Sequence, residues 1–197
     1  MERGYLFLLI GALLMATTLL PFNVNVLPFF SLDFFGYVFI LSGIREMRTS
    51  AKELRNSYYF AVTAMILRFL LPMLLGLIIS ALPFNFLGIL PVLSVVLSVF
   101  FTIGIFFWLF KAEYMWSPHN TKRFDWLMYS IVSLVYLLIY GMFMFPIGLR
   151  LLPDVIFVHS IEIFRFINFL YYAVLIYILA KLYLNARGNT PGFKRWG

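Results

Sequence analysis

The chain has 197 residues, of which 63% are hydrophobic and 12% charged, against roughly 45–50% and about 25% in soluble domains. A water-soluble core of this length cannot hide so much apolar surface. Cysteine is absent, which excludes disulfides, thiolate metal sites and cysteine nucleophiles. The formal charge of +7 sits in short loops beside apolar runs instead of on a folded domain, so it reads as a topology signal and not as a nucleic-acid surface.

About 20 apolar residues cross a hydrocarbon core near 30 Å thick, and six stretches approach or exceed that length. The first, Tyr5 to Leu20, follows Arg3 and carries a small-x-x-x-small face at Ala12 and Ala16. It has a signal-peptide look, but no small-x-small cleavage site stands near its end, and removal would spoil the charge alternation described below. The second, Phe29 to Ile44, has Asp33 near its outer end and glycines at Gly36 and Gly43. These two are short, so full crossing competes with a tilted or partly inserted hairpin. The third, Tyr58 to Leu82, contains Arg68, and the fourth runs from Phe86 to Phe110. The fifth, Trp126 to Leu149, and the sixth, Val155 to Lys181, complete the set. Beyond them Asn185 to Gly197 is polar, basic and rich in Gly and Pro, as expected of a mobile tail.

Cations alternate by gap. Arg3 precedes the first span, Arg45, Arg48, Lys52 and Arg55 follow the second, Lys111, Lys122 and Arg123 follow the fourth, and Lys181, Arg187, Lys194 and Arg195 close the chain. The intervening gaps hold only Arg150. Positive-inside bias then places both termini and the longer basic loops in the cytoplasm. Anionic lipid headgroups are the expected neighbours of those loops. Tyr5, Tyr58, Tyr59, Trp108, Trp116, Trp126 and Tyr183 stand near span ends and read as interfacial anchors.

The three outer turns resemble one another. Each opens on a proline, Pro21, Pro83 or Pro146, and closes on another, Pro28, Pro91 or Pro153. Triplication would give three helical hairpins, near 1–57, 58–125 and 126–184, about a pseudo-threefold axis. Proline also ends and begins helices for local reasons, so common turn chemistry explains the motif equally well.

Polar groups inside spans mark candidate sites, because a charge in hydrocarbon is costly and turns toward other helices or water. Arg68 lies deep in the third span. On the sixth, His159, Glu162 and Arg165 recur every third residue and share one helical face. Arg68, Glu162 and Arg165 are expected to form a buried charge network, with Asp33, Asp154, His159 and Arg150 near an outer entrance. Support of the fold and binding of an anionic group are both open to such a network. His119, near Glu113 and Asp125, has no metal-ligand spacing, and Gly-x-Ser-x-Gly, His-Glu-x-x-His and phosphate-cradling loops are missing. Enzymatic activity, a metal and a cofactor are therefore not expected.

Two family resemblances bear on this reading. Asn23 to Pro28 followed by Leu32 to Ile44 resembles the opening hairpin of small multi-spanning membrane proteins of Gram-positive bacteria, a family with no assigned activity. The resemblance covers about a tenth of the chain and implies a bacterial plasma-membrane setting. The six-span size and the Ala12 and Ala16 pair resemble substrate-binding components of energy-coupling-factor vitamin transporters. In that family an Ala-x-x-x-Ala face meets the coupling subunit, while its long first outer loop has no counterpart here.

The sequence thus describes an all-α, six-span transmembrane bundle over 1–184, with a basic cytoplasmic tail over 185–197. Its expected partners are membrane lipid and either a membrane-protein partner or a second copy, and its expected role is to bind a partner or small ligand, with transport as the alternative. Single-cysteine tags at Asn25 and Lys52, in a chain that has no cysteine of its own, should react with an impermeant maleimide from opposite sides of the membrane. Labelling of both from one side would overturn this topology.

Overall fold

The computed structural model describes residues 1–17, 32–48, 54–71, 73–74, 89–116, 120–144 and 160–188. They form an all-helical protein. The helices are α1 (Glu2–Thr17), α2 (Leu32–Arg48), α3 (Arg55–Met65), α4 (Ile89–Trp116), α5 (Asn120–Met144) and α6 (Ser160–Gly188). A π-helical turn, Ile66–Leu70, continues α3.

Helix boundaries run past the apolar spans because a backbone helix need not stop where hydrocarbon does. α5 starts at Asn120, well before Trp126, and α4 continues to Trp116, just ahead of Pro118, whose ring disfavours helix in the residue before it. α6 extends to Gly188, so the expected tail from Asn185 begins as helix. Pro91 sits in the first turn of α4, where a missing amide hydrogen costs little. The other prolines that bound the repeated turns lie outside the described residues.

Among the described residues, three helices are long and apolar enough to cross a membrane, at Val96–Trp116, Lys122–Met142 and Glu162–Gly188. With 16 and 17 residues, α1 and α2 extend only about 24–26 Å at 1.5 Å per residue.

Each helix packs on the next, and α6 packs back on α1, so that the neighbours close a ring in chain order. Side-chain contacts fix its direction. Gly4 of α1 meets Met47 near the end of α2, and Arg48 lies over the Tyr58 ring near the start of α3. Lys122 of α5 pairs with Glu113 of α4, and Lys181 of α6 with Asp125 of α5. Hence the first ends of α1, α3 and α5 gather with the last ends of α2, α4 and α6. The core between them includes Leu8, Ile40, Ile44, Ile105, Phe106, Leu109, Leu175 and Ile178, all without solvent exposure.

The closest approach is between α1 and α2. Small residues let two helices approach until their backbones touch. Gly4 and Gly11 stand seven residues apart, as do Gly36 and Gly43, and the two helices run antiparallel. Gly11 therefore faces Gly36, while Gly4 faces Gly43. A Cβ at Gly11 would lie 2.7 Å from the Gly36 carbonyl oxygen, and one at Gly43 would lie 2.7 Å from the Gly4 carbonyl oxygen. Both obstacles are backbone and cannot rotate away. Gly36 and Gly43 thus serve the expected packing role, but their partners are glycines that the sequence reading passed over. Ala12 is fully buried within the chain and Ala16 partly so, which removes Ala12 as an outward face for a partner subunit.

Replacing Gly11 or Gly43 by alanine should destabilise the protein by about 1–3 kcal/mol, the usual cost of overpacking. A Cβ at Gly141 meets nothing within 4 Å, so alanine there should be neutral or slightly stabilising. Thermal unfolding in detergent ranks the three, and equal effects would contradict the register.

Candidate functional site

Arg68 sits in the π-helical turn of α3. Leu71 donates its amide to the Ile66 carbonyl, five residues back, instead of four. Pro72 has no amide hydrogen to donate to Arg68, the acceptor it would use in an α-helix, so the sequence itself disfavours regular helix at this point. Single π turns of this kind recur at functional sites. The neighbouring residue, Phe69, is wedged edge-on against Phe34 and Tyr37 of α2, with ring centroids 5.5 and 5.8 Å apart. That wedge binds α3 to α2 and sets the direction of the arginine.

The guanidinium reaches Asp33 at the start of α2. Arg68 Nη2 donates to Asp33 Oδ2 at 3.1 Å, and the two side chains are 31% and 12% exposed. Each group relieves what would otherwise be an uncompensated charge away from bulk water. Both keep unused capacity, because a guanidinium has five N–H donors and a carboxylate accepts at two oxygens.

Tyrosines surround the pair. Tyr140 lies beside the guanidinium, and Tyr37 and Tyr172 are within its electrostatic reach. The Tyr37 hydroxyl is 2.5 Å from Thr102 Oγ1. Thr102 spends its single hydrogen on the Ser98 carbonyl at 2.7 Å, so Tyr37 must be the donor to Thr102.

A hydroxyl-bearing line leads inward from there. Tyr129, Ser133, Tyr136 and Tyr140 recur on α5 at steps of four, three and four, which keeps them on one buried face. Tyr136 donates to Asn168 Oδ1 of α6, and its ring stacks on Tyr171 at 4.3 Å. Tyr129 donates to the Ile103 carbonyl at 3.2 Å, so at the 2.8 Å contact between phenols Tyr171 must donate to Tyr129. Ser133, between them in sequence, is buried on the same face, next to the Tyr129 hydroxyl.

The opposite end of the bundle holds a second polar cluster. The Tyr5 hydroxyl donates to Glu113 Oε1, Lys122 meets Glu113 Oε2 at 3.1 Å, and Lys181 bridges both Asp125 oxygens at 2.9 and 2.6 Å. Its charges are consumed by tying α1, α4, α5 and α6 together. Tyr5 is accordingly buried and not an interfacial anchor. Among the described residues no three His, Asp or Glu side chains converge on a metal-sized site.

Of the residues singled out from sequence, the structure brings together Arg68 and Asp33. Glu162 and Arg165 do share a face of α6, as their spacing requires, but that face is exposed. The expected burial of these two with Arg68 is therefore corrected: Asn168, one further step along, is the buried polar residue of this part of α6. Hydrophobic neighbours decide the difference, because Tyr171, Leu175 and Ile178 turn the opposite side of the helix into the core. His159, Asp154 and Arg150 lie outside the described residues. The tyrosine line went unread, although its heptad spacing was available in the sequence. Comparison with family models, curated proteins and solved structures finds no match to this chain.

Removing one partner of a buried pair leaves the other charge uncompensated. Asp33→Asn and Arg68→Gln should each cost about 3 kcal/mol in detergent unfolding, while the double variant should cost less than their sum by about 1–3 kcal/mol. Simple additivity would show that the pair is not coupled.

Proposed function

We propose that this chain is a six-span plasma-membrane protein, with its basic connectors in the cytoplasm, that binds a small polar ligand at the Arg68–Asp33 pair without transforming it. The supporting observation is the site itself: an ion pair with unused hydrogen-bonding capacity, side-chain exposure of 31% at the arginine, and phenols on neighbouring helices. Alternation of helix ends around the ring accords with the cation count by gap, and it supports crossings by α1, α2 and α3 as well as by the three longer helices. The bacterial setting rests on the hairpin resemblance alone.

A second reading, transport of the ligand, is favoured by one feature. The line from Tyr140 to Tyr129 carries hydroxyls inward over 11 residues, about 16 Å along α5, which is half the hydrocarbon thickness. Attachment to a partner through the Ala12 face is disfavoured because Ala12 is fully buried.

Thermal unfolding of the purified protein in dodecyl maltoside, with small carboxylates, phosphates, amines, amino acids and sugars added in turn, tests ligand binding. At ten times its dissociation constant a true ligand raises the midpoint by roughly 3–6 °C in a chain of this size. The Asp33→Asn/Arg68→Gln double variant should lose that shift. Failure of every class to shift the wild type would overturn the proposal.

A further inference from the structure

Resting on the ligand-site reading above, we infer that the Arg68–Asp33 pair accepts a zwitterion, a molecule with an anionic group and an ammonium a few ångströms apart. The argument begins with charge balance. The pair is neutral as a unit, and the other titratable groups within its electrostatic reach, Tyr37, Tyr136, Tyr140 and Tyr172, are phenols. A ligand bearing one net charge would bring that charge into a poorly solvated site with nothing to cancel it, which costs several kcal/mol. A zwitterion carries its own cancellation.

Geometry agrees with the charge argument. One contact, Arg68 Nη2 to Asp33 Oδ2 at 3.1 Å, joins the two residues. The remaining guanidinium N–H groups can receive the ligand's anionic group, and the remaining carboxylate lone pairs can receive its ammonium. The two protein charges lie side by side, so they demand two opposite ligand charges side by side. A neutral polyol would leave both ionic groups bound only by weaker neutral hydrogen bonds.

Aromatic rings stand beside the pair. Phe34, Phe69 and Tyr37 meet edge to face beside the pair, and aromatic rings attract an ammonium through their negative faces. Farther in, the same face of α5 carries the buried hydroxyls of Ser133, Tyr136 and Tyr140. The same zwitterionic chemistry occurs in a free amino acid and in the phosphoethanolamine headgroup of a lipid.

The test measures unfolding midpoints of the full chain in dodecyl maltoside. The probes are leucine and glutamine as free amino acids and glycerophosphoethanolamine as the headgroup. Single-charge controls are 4-methylpentanoate, 3-methylbutylamine and an equimolar mixture of the two, and sucrose is the neutral control. Expected is a rise of about 3–6 °C with at least one zwitterion at tenfold its dissociation constant, and less than a third of it with the controls. A shift from an amino acid assigns the free source, and one from glycerophosphoethanolamine assigns the lipid. Both the double variant Asp33→Asn/Arg68→Gln, which carries no buried charge, and Tyr140→Phe, which retains the ion pair, should bind more weakly. An equal or larger shift with 4-methylpentanoate, 3-methylbutylamine or sucrose would overturn the zwitterion while leaving a ligand site in place. No shift with any zwitterion would overturn this inference, as would an undiminished zwitterion shift in the double variant.

Discussion

A charge removed from water must find its opposite, and the end of the bundle where α2 begins and α3 finishes depends on that requirement. Arg68 cannot lie among apolar helices alone. Asp33 answers it from α2, so the pairing links two helices that also meet through the rings of Phe34, Tyr37 and Phe69. Because only one hydrogen bond joins them, the demand of each group is met in charge but not in bonding capacity. That imbalance separates this pair from the cluster at the other end, where Lys181 bridges both oxygens of Asp125 and Glu113 is held from two sides.

The apolar half of the design works by a different rule. α1 and α2 carry few groups able to bond across their interface, so they gain contact by bringing backbones together at Gly11 with Gly36 and Gly4 with Gly43. Close backbone packing there places the start of α2, and with it Asp33, in a definite position. The π turn makes the matching adjustment in α3, where a widened helix and the Phe69 wedge deliver Arg68 to the same place. Packing therefore precedes chemistry: the ion pair is positioned by glycines and rings that bear no charge.

Much of the candidate site was visible in the residues one at a time. Arg68 and Asp33 both stood out as polar groups within apolar spans, yet nothing in their separation of 35 positions says that they meet. The triplet of His159, Glu162 and Arg165 shows the complementary failure. Its three-residue step established a common face of α6, but a period does not say whether that face looks inward, and the exposed positions of Glu162 and Arg165 supply the answer. Tyr129, Ser133, Tyr136 and Tyr140 escaped notice because a tyrosine near a span end is as good an interfacial anchor as it is a hydrogen-bonding core residue.

What the residues determined unaided was the helical class and the alternating placement of cations, since both follow from local composition: apolar runs must satisfy their own backbone bonds, and basic residues collect in alternate gaps. Only the tertiary structure decided that Gly4 and Gly11 complete the packing of Gly36 and Gly43, that Ala12 faces inward, and that Arg68 chooses Asp33 over Glu162. Those outcomes rest on the rotation and register of whole helices against one another, which are set by the sum of contacts along each interface and not by any stretch of sequence read alone.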